Sequence, residues 1–130
     1  MKGVLVVDDD PNTRDVLCKC PVDAGYSTDC AANGWEGLLA LDRQNSDLVI
    51  LDVMMPGMDG PTFLKIIRNA SRLRDVPVIL ISAYNIAELR HALNGCNIAA
   101  FLSKSDVKYF DKLLAEAGAI LEKDPSKASN

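Results

Sequence analysis

The chain has 130 residues, 48% of them hydrophobic and 25% charged, with a net charge of −4, the size and balance of one globular domain with a proper core. That excludes a disordered chain, the acidic balance argues against a nucleic-acid surface, and no apolar run approaches the ~18 residues of a spanning helix. Met1-Lys2-Gly3 leads directly into Val4–Val7, too short for the apolar core of a signal peptide, so the expected location is the cytoplasm, with no direct contact to membrane or nucleic acid.

Strand-like and helix-like patterns alternate with short connections, which predicts βα units around a parallel sheet. Residues 3–8 form an apolar run of the kind buried on both sheet faces. Asp10-Pro11 reads as an N-cap with proline at the first helical position. Thr13, Val16, Leu17, Cys20 and Ala24 then recur at the spacing of a buried helical face. Pro21 removes a backbone donor there, at a cost of roughly 3 kcal/mol, so the helix is expected to bend or to stop near Cys20, with Gly25 closing the unit.

A second strand is predicted over Ser27–Ala31, with Asn33-Gly34 as the turn after it. Trp35, Leu38, Leu39, Leu41 and Asp42 lie in a short amphipathic helix, and Leu48–Asp52 is the third strand. Met55-Pro56-Gly57-Met58-Asp59-Gly60-Pro61 describes a stiff irregular loop, in which Asp59 satisfies local backbone donors. Phe63, Leu64, Ile66 and Ile67 continue as a helix to about Asn69, and Pro77 introduces a fourth strand over 78–82. A fourth helix is predicted over 86–94, a fifth strand over 99–102, and a last helix with Val107, Phe110, Leu113, Leu114, Ala117 and Leu121 on one face. The domain thus occupies 1–123, and 124–130 is a polar tail or linker stub.

Cys18, Cys20, Cys30 and Cys96 contain no C-x-x-C pair, so zinc is not expected; they read as reduced thiols, with Cys20 and Cys30 as small core residues. Lys65, Arg68, Arg72 and Arg74 read as a solvated helix face and its following loop, and His91 as a polar position of the fourth helix.

Four apolar runs end on polar side chains: Val4–Val7 on Asp8-Asp9-Asp10, Leu48–Leu51 on Asp52, Val78–Ile81 on Ser82, and Ala99–Leu102 on Ser103-Lys104. Parallel strands bring their carboxyl ends to one edge, where open α/β sheets bind ligands. Clustered carboxylates repel one another and call for a hard divalent cation; Mg²⁺ held by one or two carboxylates usually works with phosphate. A metal-assisted phosphoryl site is therefore the leading reading of the residues.

Three stretches also resemble the receiver domain of two-component response regulators, the CheY-like superfamily. They are Val4 to Pro11, Asp47 to Gly60 with its Leu-Asp-x-x-Met-Pro-x-Met-Asp-Gly pattern, and Pro77 to Ala83. The resemblance covers nearly the whole chain. It implies a flavodoxin-like (βα)5 doubly wound parallel sheet of strand order 2-1-3-4-5 in three α/β/α layers. It implies Asp52 as phosphoacceptor, and Mg²⁺ or Mn²⁺ held by Asp8, Asp9, Asp52 and the Met54 backbone carbonyl. Ser82 matches the switch hydroxyl, Lys104 the lysine that pairs with the phosphoryl group, and Phe101 the aromatic coupled to the switch. Ser105 stands where the family usually has a proline after a cis bond. Because a cis bond before any other residue costs about 2.5–4 kcal/mol, a trans bond and a displaced ammonium are expected.

The resemblance further implies a sensor histidine kinase or histidine phosphotransfer protein as phosphodonor. It implies a downstream protein partner or missing output domain, with a homodimer formed on phosphorylation as a further partner. Phosphorylation would alter the face made by the fourth helix, fifth strand and last helix. Such a domain reacts once per donor and is not a turnover enzyme. A small aspartyl-phosphate phosphohydrolase, faintly suggested by Asp8-x-Asp10, would need more length and a cap domain. The alternative is a degenerate module that binds independently of phosphorylation, motivated by the altered Lys104-Ser105 loop. Bulky side chains at Met54 and Tyr84, two residues beyond Asp52 and Ser82, would hinder water and lengthen the acyl-phosphate lifetime.

Overall fold

A computed structural model describes residues 2–23, 26–83, 93 and 97–122. Five strands, β1 (Gly3–Val7), β2 (Ser27–Ala31), β3 (Leu48–Asp52), β4 (Val78–Ser82) and β5 (Ala100–Ser103), form one sheet in the order β2-β1-β3-β4-β5. Every ladder is parallel. The described helices are α1 (Pro11–Asp23), α2 (Gly34–Arg43), α3 (Gly60–Arg68) and α4 (Tyr109–Glu122). The flavodoxin-like expectation holds, strand order included. The helix expected over 86–94 lies outside the described residues, apart from the buried Leu93.

Alternation along the strands divides the core into two halves. Val4, Val6, Leu48, Ile50, Ile79 and Ile81 pack with Leu17 of α1 and Leu113, Ala117 and Leu121 of α4. Leu5, Val7, Val49, Leu51, Val78 and Leu80 face the other way, onto Ala40 and Leu41 of α2 and Phe63, Leu64 and Ile67 of α3. Helices on both faces leave β3 and β4 buried along their whole length, which explains why those strands read as unbroken apolar runs. The edge strand β2 has only Ala31 fully buried.

Several local expectations are met. Asp10 accepts the Asn12 N–H at 3.1 Å and the Thr13 hydroxyl at 2.7 Å at the start of α1. Asn33 caps α2 by accepting the Glu36 N–H, while Glu36 reaches back to the Ala32 N–H at 2.7 Å. Asp59 caps α3 by accepting the Thr62 N–H at 2.8 Å. Two arginines of the basic cluster depart from the expected solvated face and brace the scaffold: Arg68 donates to the carbonyls of Leu73, Arg74 and Asn97, and Arg72 to that of Leu41.

Other expectations are corrected. Of the two outcomes expected at Pro21, the stop near Cys20 does not occur, since helix α1 runs on to Asp23. Proline so near the end removes one hydrogen bond in the last turn, while Leu17, 1% exposed, anchors the helix to the sheet. Val16, expected on the buried face, is 49% exposed. Val107 lies outside the last helix and is 98% exposed, because Asp106 accepts the Lys108 N–H through its side chain and the Tyr109 N–H through its carbonyl, so the helix begins after it. Leu114 is also partly exposed. Cys30 is not a core residue, and it is not a free thiol. It is exposed on β2 and joined to Cys18 of α1 in a disulfide. Among the described residues no helix is long and apolar enough to cross a membrane.

Candidate functional site

Parallel register carries four strand ends to one edge. Val7 lies opposite Leu51 and Asp52 opposite Ile81, so Asp8, one residue past β1, falls beside Asp52 at the end of β3. Ser82 lies opposite Ser103, which sets Ser82 one step beyond Asp52 and Lys104 one step beyond Ser103. The polar residues that ended the apolar runs meet because the ladders between them are in step.

Each group is held from its own backbone outward. Asp8 is fully buried; its carboxylate accepts the Asp10 N–H at 2.9 Å. The Asp8 N–H donates to the Ala31 carbonyl at 3.1 Å, and its carbonyl accepts from Arg14 Nη1 at 2.7 Å. Asp52 is 4% exposed and accepts the Met54 N–H at 3.4 Å, so the Met54 backbone lies against the carboxylate while its side chain faces solvent. Gly60 lets the following loop close: its N–H donates to the Val53 carbonyl at 2.8 Å, and a Cβ there would stand 2.8 Å from Val53 Cα and 2.9 Å from the Asp52 carbonyl.

Lys104 reaches the cluster in spite of the missing proline. No cis peptide bond occurs among the described residues, so the Lys104-Ser105 bond is trans as expected. Yet Lys104 Nζ is 2.8 Å from Asp8 Oδ2 and 3.8 Å from Asp52 Oδ2. The expected displacement is corrected because the Lys104 N–H donates to the Ser82 carbonyl at 2.7 Å, which fixes where the side chain starts. The degenerate, phosphorylation-independent alternative thereby loses the feature that motivated it. Ser82 is fully buried beside this bond. Phe101 is not part of the cluster: it lies opposite Leu80, half-buried against the core half that holds α2 and α3. Tyr84 lies outside the described residues.

Electrostatics follow from burying like charges together. Burial first, and then the neighbouring Asp8 charge, push the Asp52 carboxyl up to about 7, with Asp9 adding to the rise and Lys104 and the Met54 N–H opposing it. For Lys104, burial works against the charged form, but the Asp8 hydrogen bond and the Asp52 and Asp8 charges outweigh it and raise the ammonium above its usual value. Carboxylate oxygens of Asp8, Asp9 and Asp52 lie within 4.8 Å of one another. Three carboxylates facing one ammonium leave an excess of negative charge, and two of the three are withdrawn from water. This all-oxygen, over-charged cluster fits a hard divalent cation.

Two residues of the site's surroundings were not legible beforehand. Arg14 carries no signal in the sequence analysis, and only the packing of α1 brings it onto the Asp8 carbonyl. Tyr109, at the start of α4, is buried enough to raise its phenol pKa, and the Asp8 and Asp52 charges raise it further against the pull of Lys104.

Comparison with known proteins agrees with this geometry. Residues 4–115 match the family model described as the response regulator receiver domain. The chain belongs to the receiver family. Receiver domains are phosphoacceptor signalling modules that bind Mg²⁺ in an acidic pocket.

This receiver domain is 37% identical over 101 residues to an uncharacterized 14.6 kDa protein of Leptolyngbya boryana, covering 78% of the chain and 77% of that protein. It is 30% identical over 126 residues to the DNA-binding dual master transcriptional regulator RpaA of Synechocystis, covering 95% of the chain but 50% of the regulator. It thus spans about half the length of several curated regulators that it matches. Among solved structures, chemotaxis protein CheY4 of Vibrio cholerae superposes with a TM-score of 0.83 at 28% identity, over 92% of this chain and 98% of that one. Response regulator TrrA of Thermotoga maritima, solved in complex with Mg²⁺-BeF, superposes with a TM-score of 0.78 at 35% identity over 92% and 99%.

Proposed function

We propose that this receiver domain accepts a phosphoryl group on Asp52 from a histidine kinase or histidine phosphotransfer protein in a Mg²⁺- or Mn²⁺-dependent step. One observation carries the reading: Asp52 is buried at the end of β3 within a carboxylate cluster whose charge Lys104 balances only in part. In the transfer, an oxygen of the ionised Asp52 carboxylate bonds to phosphorus as the bond from phosphorus to the donor imidazole nitrogen breaks, and the imidazole, protonated on its other nitrogen, leaves neutral; the proton that metal-free Asp52 holds up to about pH 7 has to be lost beforehand. Asp8, Asp9, Asp52 and the Met54 carbonyl would hold the cation, which supplies neutralising charge for the acids and the incoming phosphoryl oxygens.

The chain's own groups do the rest. Lys104 would exchange part of its contact with Asp8 for the phosphoryl group as a point charge. The Ser82 hydroxyl would donate to a phosphoryl oxygen. Contacts made in only one arrangement of these loops shift the population toward it, altering the surface around β5 and α4. Phe101, on β5, is the residue through which that shift would reach the core. The readout is a change in affinity for a downstream protein, an attached output domain or a second copy.

The test is incubation with Mg²⁺ and a small acyl-phosphate donor, followed by intact mass. The natural protein should gain one phosphoryl group and Asp52→Asn none. Absence of uptake by the natural protein, with Mg²⁺ binding demonstrated separately, would refute the reading.

A further inference from the structure

Cys18 and Cys30 belong to no part of the acid cluster, yet they touch the two elements that frame it. Their sulfurs meet across α1 and β2, twelve positions apart in sequence and with Cα atoms 6.8 Å apart, within the span a disulfide bridges. Neither is an indispensable core residue. Cys30 is exposed on the outermost strand of the sheet, and Cys18 packs at the margin of the core half that contains Leu17. The buried residues of both core halves include neither cysteine, so the dithiol form can hold the same fold. A dissolved thiol or disulfide can reach the Cys30 sulfur from solvent.

The elements so joined grip the Asp8 backbone from two sides. The Ala31 carbonyl, next to Cys30, takes the Asp8 N–H at 3.1 Å. Arg14, four residues before Cys18, donates to the Asp8 carbonyl at 2.7 Å. We propose that Cys18 and Cys30 form a reversible thiol–disulfide site, oxidised by small disulfides of the oxidised-glutathione class, whose closure clamps α1 to β2 around Asp8. The more exposed Cys30 thiolate attacks the reagent's S–S bond and releases one thiol. Cys18 then attacks the mixed disulfide and releases the second. Two protein thiols and one disulfide become one protein disulfide and two small thiols, with the two protons passing to the leaving thiolates. The inference is independent of phosphoryl transfer.

The test equilibrates the full chain at a series of ratios of oxidised to reduced glutathione, traps free thiols with N-ethylmaleimide, and maps the trapped protein. Trypsin cuts after Arg14, Lys19 and Arg43, so the bond joins peptide 15–19 to peptide 20–43. Because the second peptide also contains Cys20, the map is repeated on Cys20→Ser and Cys30→Ser. The linked peptides should persist in Cys20→Ser, vanish in Cys30→Ser, and revert to two alkylated cysteines on adding dithiothreitol. Closing a loop of this size should raise the melting temperature by at least about 4 °C and slow hydrogen exchange of the Asp8 amide several-fold. Thiols that stay alkylatable at every ratio, a link that survives Cys30→Ser, or a closed form with unchanged melting and Asp8 exchange would each overturn the proposal.

Discussion

Asp52 shows how burial converts a single carboxyl into a pH sensor of the fold. Its carboxyl is raised from 3.8 to about 7 in the folded protein, first by burial and then by Asp8, so the folded state holds that proton more tightly than the unfolded chain does. In metal-free protein this contribution is fully present below about pH 4 and is lost as pH rises through about 7. Denaturant melts in EDTA should therefore show stability falling across that window in the natural protein, with the fall much reduced in Asp52→Asn. Equal slopes in the two proteins would contradict the assignment. Lys104 is the complementary case. Removing it leaves Asp8, which is fully buried, without its cation, so Lys104→Ala should cost about 3 kcal/mol in EDTA and markedly less with saturating Mg²⁺. A loss independent of Mg²⁺ would mean that the two cations do not share the cluster.

The connection from β3 to α3 must satisfy the sheet, the helix cap and the site at once. The loop's composition foreshadowed its stiffness and the role of Asp59 in satisfying backbone donors; that Asp59 is the N-cap, that Pro61 stands in the first turn of the helix and that Gly57 takes a positive φ of 82° are findings of the structure. Gly60 is the tight point, since any Cβ there meets backbone rather than a flexible side chain. Gly60→Ala should destabilise the protein by about 1–3 kcal/mol and slow phosphoryl uptake by displacing Asp52. Unchanged unfolding curves would show that the loop can yield. Helices were less legible than strands. A strand buried on both faces writes itself as a continuous apolar run, whereas the start of α4 depends on whether Asp106 or a later residue caps it, and Val107 looked like core only by its chemistry. In α2 the large apolar side chains mislead in the same way: Trp35 and Leu39 are each 64% exposed, while Gly37 makes the close approach to Val7 of β1 and Phe63 of α3, and Ala40 is buried.

For the molecule as a whole, a cation held as proposed by Asp8, Asp9 and Asp52 would link binding to folding, because the unfolded chain does not gather the three acids. Mg²⁺ at about 100 times its dissociation constant should add about 2.7 kcal/mol. The gain should be larger at pH 8 than at pH 5, where a proton on Asp52 competes with the metal; calorimetric melts with and without Mg²⁺ at both pH values check this, and a pH-independent gain would place the cation elsewhere. The periodicity of apolar residues and the polar residue ending each run determined the parallel α/β class, the identity of the clustered side chains and the chemistry they suit, because those are local properties of segments a few residues long. The resemblance of its motifs added the strand order. Folding alone decided that Lys104 would reach Asp8 without a proline after it, that α1 would survive Pro21, and that Cys18 would find Cys30. Each depends on how separate elements pack against one another, which no pattern within a single segment encodes.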